Sequence, residues 1–203
     1  MISKKVFNSC IVSMIVIVFC ACHSGRIISG RYYYENQKVL DSTEQLYRHL
    51  YEKNPFSIEF TDNTFKYVSL EIITDTLSYN YEFQTNDPRL KDTLSKYGLN
   101  ETGVFRLLKQ MKEVHCTWIN NLDYYVDGNK KILTFISIRP VRLNSLFDNR
   151  KYYILTYFSQ PQYFDSEGML LDNRKLRKLR RINDEIFKRI NDKVCYTISE
   201  RFR

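Results

Sequence analysis

Apolar positions in this chain recur first at intervals of four, then of two, then of four again, and the changes of period mark out its elements. A helix opens at Asp41 or Ser42, with Gln45 three residues past Ser42 as a capping box. Leu46 and Leu50 share one of its faces, and Asn54-Pro55 stops it. Next, Ile58 and Phe60 alternate with Glu59 and Thr61, an Asp62-Asn63 turn follows, and Val68, Leu70 and Ile72 resume the alternation. Leu77, Tyr79, Tyr81 and Phe83 then alternate with Ser78, Asn80, Glu82 and Gln84, so these strands have one buried and one wet face. Asp87-Pro88 opens a second helix carrying Leu90 and Leu94, and Gly98 stops it. A third helix is expected over residues 101–113, with Val104, Leu107, Leu108 and Met111 on one stripe.

Tyr124-Tyr125-Val126, Asp127-Gly128 and the run 132–138 read as a β-hairpin, because Asp-Gly suits a two-residue turn. That run and residues 152–158 are apolar on both faces, as strands inside a covered sheet are. Residues 173–200 fit one long amphipathic helix. Leu176, Leu179, Ile182, Ile186, Ile190 and Val194 fall within an arc of about 120°. Arg174, Arg177, Lys178, Arg181 and Lys188 fall on the opposite side as a basic ridge. The expected fold class is therefore α+β: an antiparallel sheet of about six strands, in two three-strand blocks packed with helices, closed by a long C-terminal helix. The two αβββ blocks suggest a duplication, although their residues show no similarity.

The N-terminus obeys none of this. Lys4 and Lys5 precede an apolar stretch over residues 6–21 interrupted only by Asn8, Ser9 and Ser13, shorter than the roughly 20 residues of a spanning helix. A basic start, a short apolar middle and a small closing residue describe a secretory signal peptide. The order Phe19-Cys20-Ala21-Cys22 resembles the lipobox of bacterial lipoproteins, with Phe in place of the usual Leu and Cys in the middle position. That resemblance covers residues 1–22 alone. It implies a diacylglycerol on the Cys22 thiol, cleavage just before it and acylation of the new amine. The chain then divides into a signal peptide (1–21), a tether from the lipidated cysteine (22–38) and one α+β domain (39–203). Several acyl chains hold firmly, since each buried CH₂ contributes about 0.8 kcal/mol. The implied location is the bacterial envelope, facing an extracytoplasmic space; residues 23–26 carry no acidic residue that would select inner or outer membrane.

Composition adds a constraint on partners. The chain of 203 residues is 43% hydrophobic with a net charge of +8, which suits a globular domain and excludes disordered and collagen-like classes. Residues 172–203 hold 11 Lys and Arg against 5 Asp and Glu, whereas residues 22–171 hold 18 of each. The basic ridge therefore has three candidate partners besides plain solvation by i,i+4 pairs such as Asp184 with Lys188. These are anionic lipid headgroups beside the anchor, an acidic envelope protein, and nucleic acid, which an exported chain rarely meets.

Catalytic signatures are missing. There is no HExxH, GxSxG, P-loop or GxGxxG run, and no metal or cofactor is indicated. His49 lies between Leu46 and Leu50, in a partly exposed structural position. His115-Cys116 is the one adjoining base and thiol, but neighbours in a strand point to opposite faces. With Cys22 acylated, Cys116 and Cys195 remain as a pair that either bridges or stays as two buried thiols. Trp118, Tyr124, Tyr125 and the Tyr32–Tyr34 run either pack or stack on carbohydrate. Two functions are left: a membrane-tethered, non-enzymatic binding protein, of which an immunity-type protein is one version, or an envelope hydrolase or carbohydrate-binding accessory protein.

Overall fold

A computed structural model describes residues 30–126, 129–139, 152–173 and 178–200, without the side chains of Val126 and Asn173. Two compact units divide the chain at Glu35 and Asn36. The division falls inside a helical run, α1 (residues 30–53). In the first unit Arg31 Nε donates to Glu35 Oε1 at 2.6 Å in an exposed pair. Tyr32, Tyr33 and Tyr34 are thus helical and form no edge strand. Asp41 and Ser42 lie within α1, so neither caps it; Thr43 turns its hydroxyl back onto the Val39 carbonyl at 2.7 Å.

The second unit carries the rest. Strands β1 (Phe56–Phe60), β2 (Tyr67–Ile73) and β3 (Ser78–Gln84) lead to α2 (Pro88–Lys96) and α3 (Glu101–Glu113). Then come β4 (Cys116–Val126), β5 (Asn129–Ile138), β6 (Tyr152–Phe158), β7 (Tyr163–Phe164) and β8 (Leu170–Asn173). The chain ends in β9 (Lys178–Leu179), β10 (Arg181–Ile182), β11 (Glu185–Ile186), β12 (Lys188–Arg189) and β13 (Val194–Ser199). Local chemistry places the helix starts where the sequence puts them. Asp87 caps α2 by accepting from Arg89 N at 2.9 Å, and Asn100 caps α3 by accepting from Gly103 N at 2.8 Å. Gly98 ends α2 with φ +68°, and the β4–β5 hairpin closes with Val126 opposite Asn129, its Asp127-Gly128 turn lying outside the described residues.

The α+β expectation fails at its C-terminal third. The main sheet has eight antiparallel strands in the order β12-β13-β6-β5-β4-β1-β2-β3, with smaller sheets β10-β11 and β7-β8-β9 beside it. No long helix runs over 173–200; the described part of that segment is made of short strands and tight turns. Asn183 and Asp184 both have positive φ, 50° and 63°, in a two-residue loop between paired Ile182 and Glu185. Positive φ at both central residues defines the type I′ hairpin, which Asn and Asp tolerate. Asn191 builds the next turn, its side chain accepting from Lys193 N and Val194 N at 2.8 Å each. Ile182, Ile186, Ile190 and Val194 stand four apart, an interval that short strands joined by tight turns share with a helical stripe. The fold is sheet-dominated as a result.

Directly opposed residues in antiparallel strands share a face, so the registers sort the sheet into two. One face carries Phe60, Tyr81, Ile119, Thr134 and Ile136 and is covered by helices. Tyr47 on α1 donates its hydroxyl to the Phe56 carbonyl, and Lys112 on α3 lies 5.6 Å from the Phe60 ring centroid. A Cβ at Gly103 would meet Leu50 Cδ2 at 2.7 Å, so its glycine lets α3 approach α1. The other face carries Trp118, Leu133, Phe135, Ile154, Phe158 and Cys195, with Leu170, Ile182 and Phe187 from the C-terminal hairpins packed into the same cluster.

Candidate functional site

On that second face, one cross-strand row runs Glu59, Trp118, Ser137, Ile154 and Thr197 through β1, β4, β5, β6 and β13. The neighbouring row runs Asn120, Phe135, Thr156 and Cys195. The β10–β11 hairpin stands over these rows, because Ile182 is buried in the aromatic cluster. Glu185 is directly opposite Ile182, so it shares the hairpin face turned toward the sheet. Between hairpin and sheet lies a cavity of about 640 Å³, within the range of small-molecule sites. Trp118, Phe135, Ile154, Ile182 and Phe187 supply its apolar walls, and Asn183, Asp184, Glu185 and Glu200 its polar ones.

The apolar walls are fixed. Trp118 and Phe135 stack with centroids 6.2 Å apart at 17°, and Phe187 meets Phe135 at 6.3 Å. Their exposures, 6%, 4% and 1%, make them walls held by one another rather than open platforms. On the same sheet face, but not lining the cavity, the hydroxyls of Ser137 and Thr156 are buried without a hydrogen-bond partner. Such groups are uncommon in a closed core, where buried polar atoms are generally paired. The charge is one-sided: among the described residues the cavity is lined by Asp184, Glu185 and Glu200 and by no Lys or Arg. None of the three carboxylates makes an ion pair among the described residues. Arg180 is engaged elsewhere, its guanidinium 4.9 Å from the Tyr124 ring and 5.8 Å from that of Phe158.

The residues singled out by sequence are scattered. Arg174 and Arg177 lie outside the described residues, as does Cys22. Lys178, Arg181 and Lys188 stand in β9, β10 and β12, members of three different sheets, so the helix face that was to align them does not exist. Cys116 and Cys195 are both free and buried. Cys116 pairs with Ile138 on the helix-covered face, and Cys195 pairs with Thr156 on the hairpin-covered one. Three strand spacings, about 14 Å, separate β4 from β13, about twice the Cα separation a disulfide tolerates. The two thiols therefore do not bridge. Burial pushes the Cys116 thiol up to about 12, and its Sγ donates to the Trp118 carbonyl at 3.3 Å. Burial likewise raises Cys195, against a smaller opposing effect of Arg180.

His115 ends α3 in the left-handed region at φ 47°, and its ring lies 6.0 Å from Phe65. With the neighbouring thiol buried and protonated, no thiolate–imidazole pair forms. His49 is exposed on α1. Among the described residues no three His, Cys, Asp or Glu side chains could hold a metal ion.

One helix over 173–200 would carry Ile182, Asp184, Glu185, Phe187 and Glu200 together and would not bring them to a cavity. The available signal against it is the dipeptide Asn-Asp at 183–184 and again at 191–192, turn residues eight positions apart. A second polar cluster, also outside the sequence expectations, lies on the helix-covered face. There Thr134 Oγ1 donates to Asn121 Oδ1 at 2.7 Å with Glu44 Oε1 3.3 Å away, while Arg48 Nε donates to Glu44 at 2.8 Å. That cluster closes largely on itself and leaves the cavity as the better candidate. No protein-family model, curated protein or solved structure matches this chain.

Proposed function

We propose that this chain is a bacterial envelope lipoprotein, held to a membrane by acyl groups on Cys22, whose extracytoplasmic domain binds a ligand rather than transforming one. The observation that carries the anchor is the run from Lys4 to Cys22: basic start, short apolar stretch and Phe19-Cys20-Ala21 directly before cysteine. The membrane is then one partner, and an envelope protein or anionic lipid remains the macromolecular class to seek. The cavity beside Trp118 gives the domain a place for a ligand.

Cells fed labelled palmitate should incorporate label into the natural chain and lose it on Cys22→Ser. Label retained by the serine variant, or absent from the natural chain, overturns the reading. A second reading, an envelope hydrolase or carbohydrate-binding accessory, draws on Asp184, Glu185 and Glu200 meeting Trp118 at one cavity. Retention of a glycan and of no protein by the immobilised chain would favour it.

A further inference from the structure

The polarity of the cavity opposes that of the chain. In a protein of net charge +8, every charged residue that lines this cavity among the described residues is acidic. A concave, partly apolar site focuses such a field and raises the local concentration of the opposite charge. The acidic groups come from two separate places, the I′ turn with its following residue (Asp184, Glu185) and the bend after β13 (Glu200). They do not gather into a metal site among the described residues, so they match a broad cation better than a point charge. The remaining walls are aromatic and aliphatic, and a cation bearing alkyl groups gains apolar contact there beside the carboxylates.

We propose that the cavity between the β10–β11 hairpin and the main sheet, walled by Trp118, Phe135 and Phe187 and edged by Asp184, Glu185 and Glu200, binds a small organic cation of the alkylammonium class. This inference rests on the binding reading above but not on the anchor. At about 640 Å³ the cavity exceeds an ammonium head alone, so the ligand carries a further body beside the aromatic walls.

Trp118 is the sole tryptophan of the chain, so intrinsic fluorescence reports from the wall itself. The detergent-solubilised full chain is titrated with choline and with its neutral carbon isostere, 3,3-dimethylbutan-1-ol. Choline should change Trp118 emission saturably and at least about tenfold more tightly than the isostere, the scale of a partly desolvated cation–π or charge contact. Raising salt should weaken choline alone, because only its attraction is screened. The variant Asp184→Asn/Glu185→Gln/Glu200→Gln, with an unchanged urea midpoint, should bring choline to the level of the isostere. The salt series on the natural chain decides the matter without any variant. Equal responses to both probes overturn the cation assignment while leaving a binding cavity. Silence from both overturns the cation assignment, with palmitate labelling still deciding the anchor.

Discussion

Replacing Asp184 by Ala and, separately, by Gly distinguishes a hairpin from a helix by the sign of one difference. Both variants lose the same carboxylate, so electrostatics cancel between them. Asp184 sits at φ 63°, where an L-residue other than Asn or Asp costs about 1–2 kcal/mol. Glycine avoids that strain but brings about 0.4–1 kcal/mol of extra freedom to the unfolded chain. The Gly variant should therefore be more stable than the Ala variant by about 0.5–1 kcal/mol, the balance of these effects. In a helix the order reverses, since Gly is about 0.8–1 kcal/mol worse than Ala. With a urea slope of about 2 kcal/mol/M, the expected gap is about 0.25–0.5 M in midpoint. Urea titrations followed by Trp118 emission measure it. An Ala variant more stable than the Gly variant would refute the turn, and with it the wall that holds Asp184 at the cavity.

Two further outcomes follow from the described contacts. Burial opposes ionisation of Asp62, but the Thr64 hydroxyl and the N–H groups of Tyr67, Lys66 and Thr64 outweigh it and hold its pKa at about 2. A depressed carboxyl stabilises the fold fully above its unfolded value of about 3.9 and loses that contribution as pH falls toward 2. Asp62→Asn should thus cost about 1 kcal/mol at pH 7 and flatten the fall in urea midpoint between pH 4 and 2; an unchanged acid limb contradicts the turn. For the thiols, Cys116 and Cys195 should resist alkylation at pH 8 in the folded, unreduced chain and both react once unfolded, read as mass increments. A bridged pair found without reductant contradicts the register.

How much of this was legible beforehand depended on where the determining interactions lay along the chain. Asp87 before Pro88, Asn100 three residues before Gly103 and Gly98 at positive φ act within one turn of chain. Those elements are where the sequence puts them. The hairpin strands β4 and β5 also agree, because apolar runs joined by Asp-Gly leave few alternatives. Of the site, the sequence singles out Trp118 as an aromatic that packs or stacks, and reads Asp184 only as a helix ion-pair partner of Lys188.

Residues close along the chain set the local stops and starts, the alternation of β1 to β3 and the apolar, two-faced strands β5 and β6. Long-range packing makes residues 178–199 short strands and turns, inserts β13 beside β6, and sets the two thiols on opposite sides of the sheet. The physical reason is that Ile182, Ile186, Ile190 and Val194 satisfy a helical stripe and a series of short strands equally well. The choice is made by Trp118, Phe135 and Phe158, between 24 and 69 residues earlier in the chain, against which Ile182 and Phe187 bury.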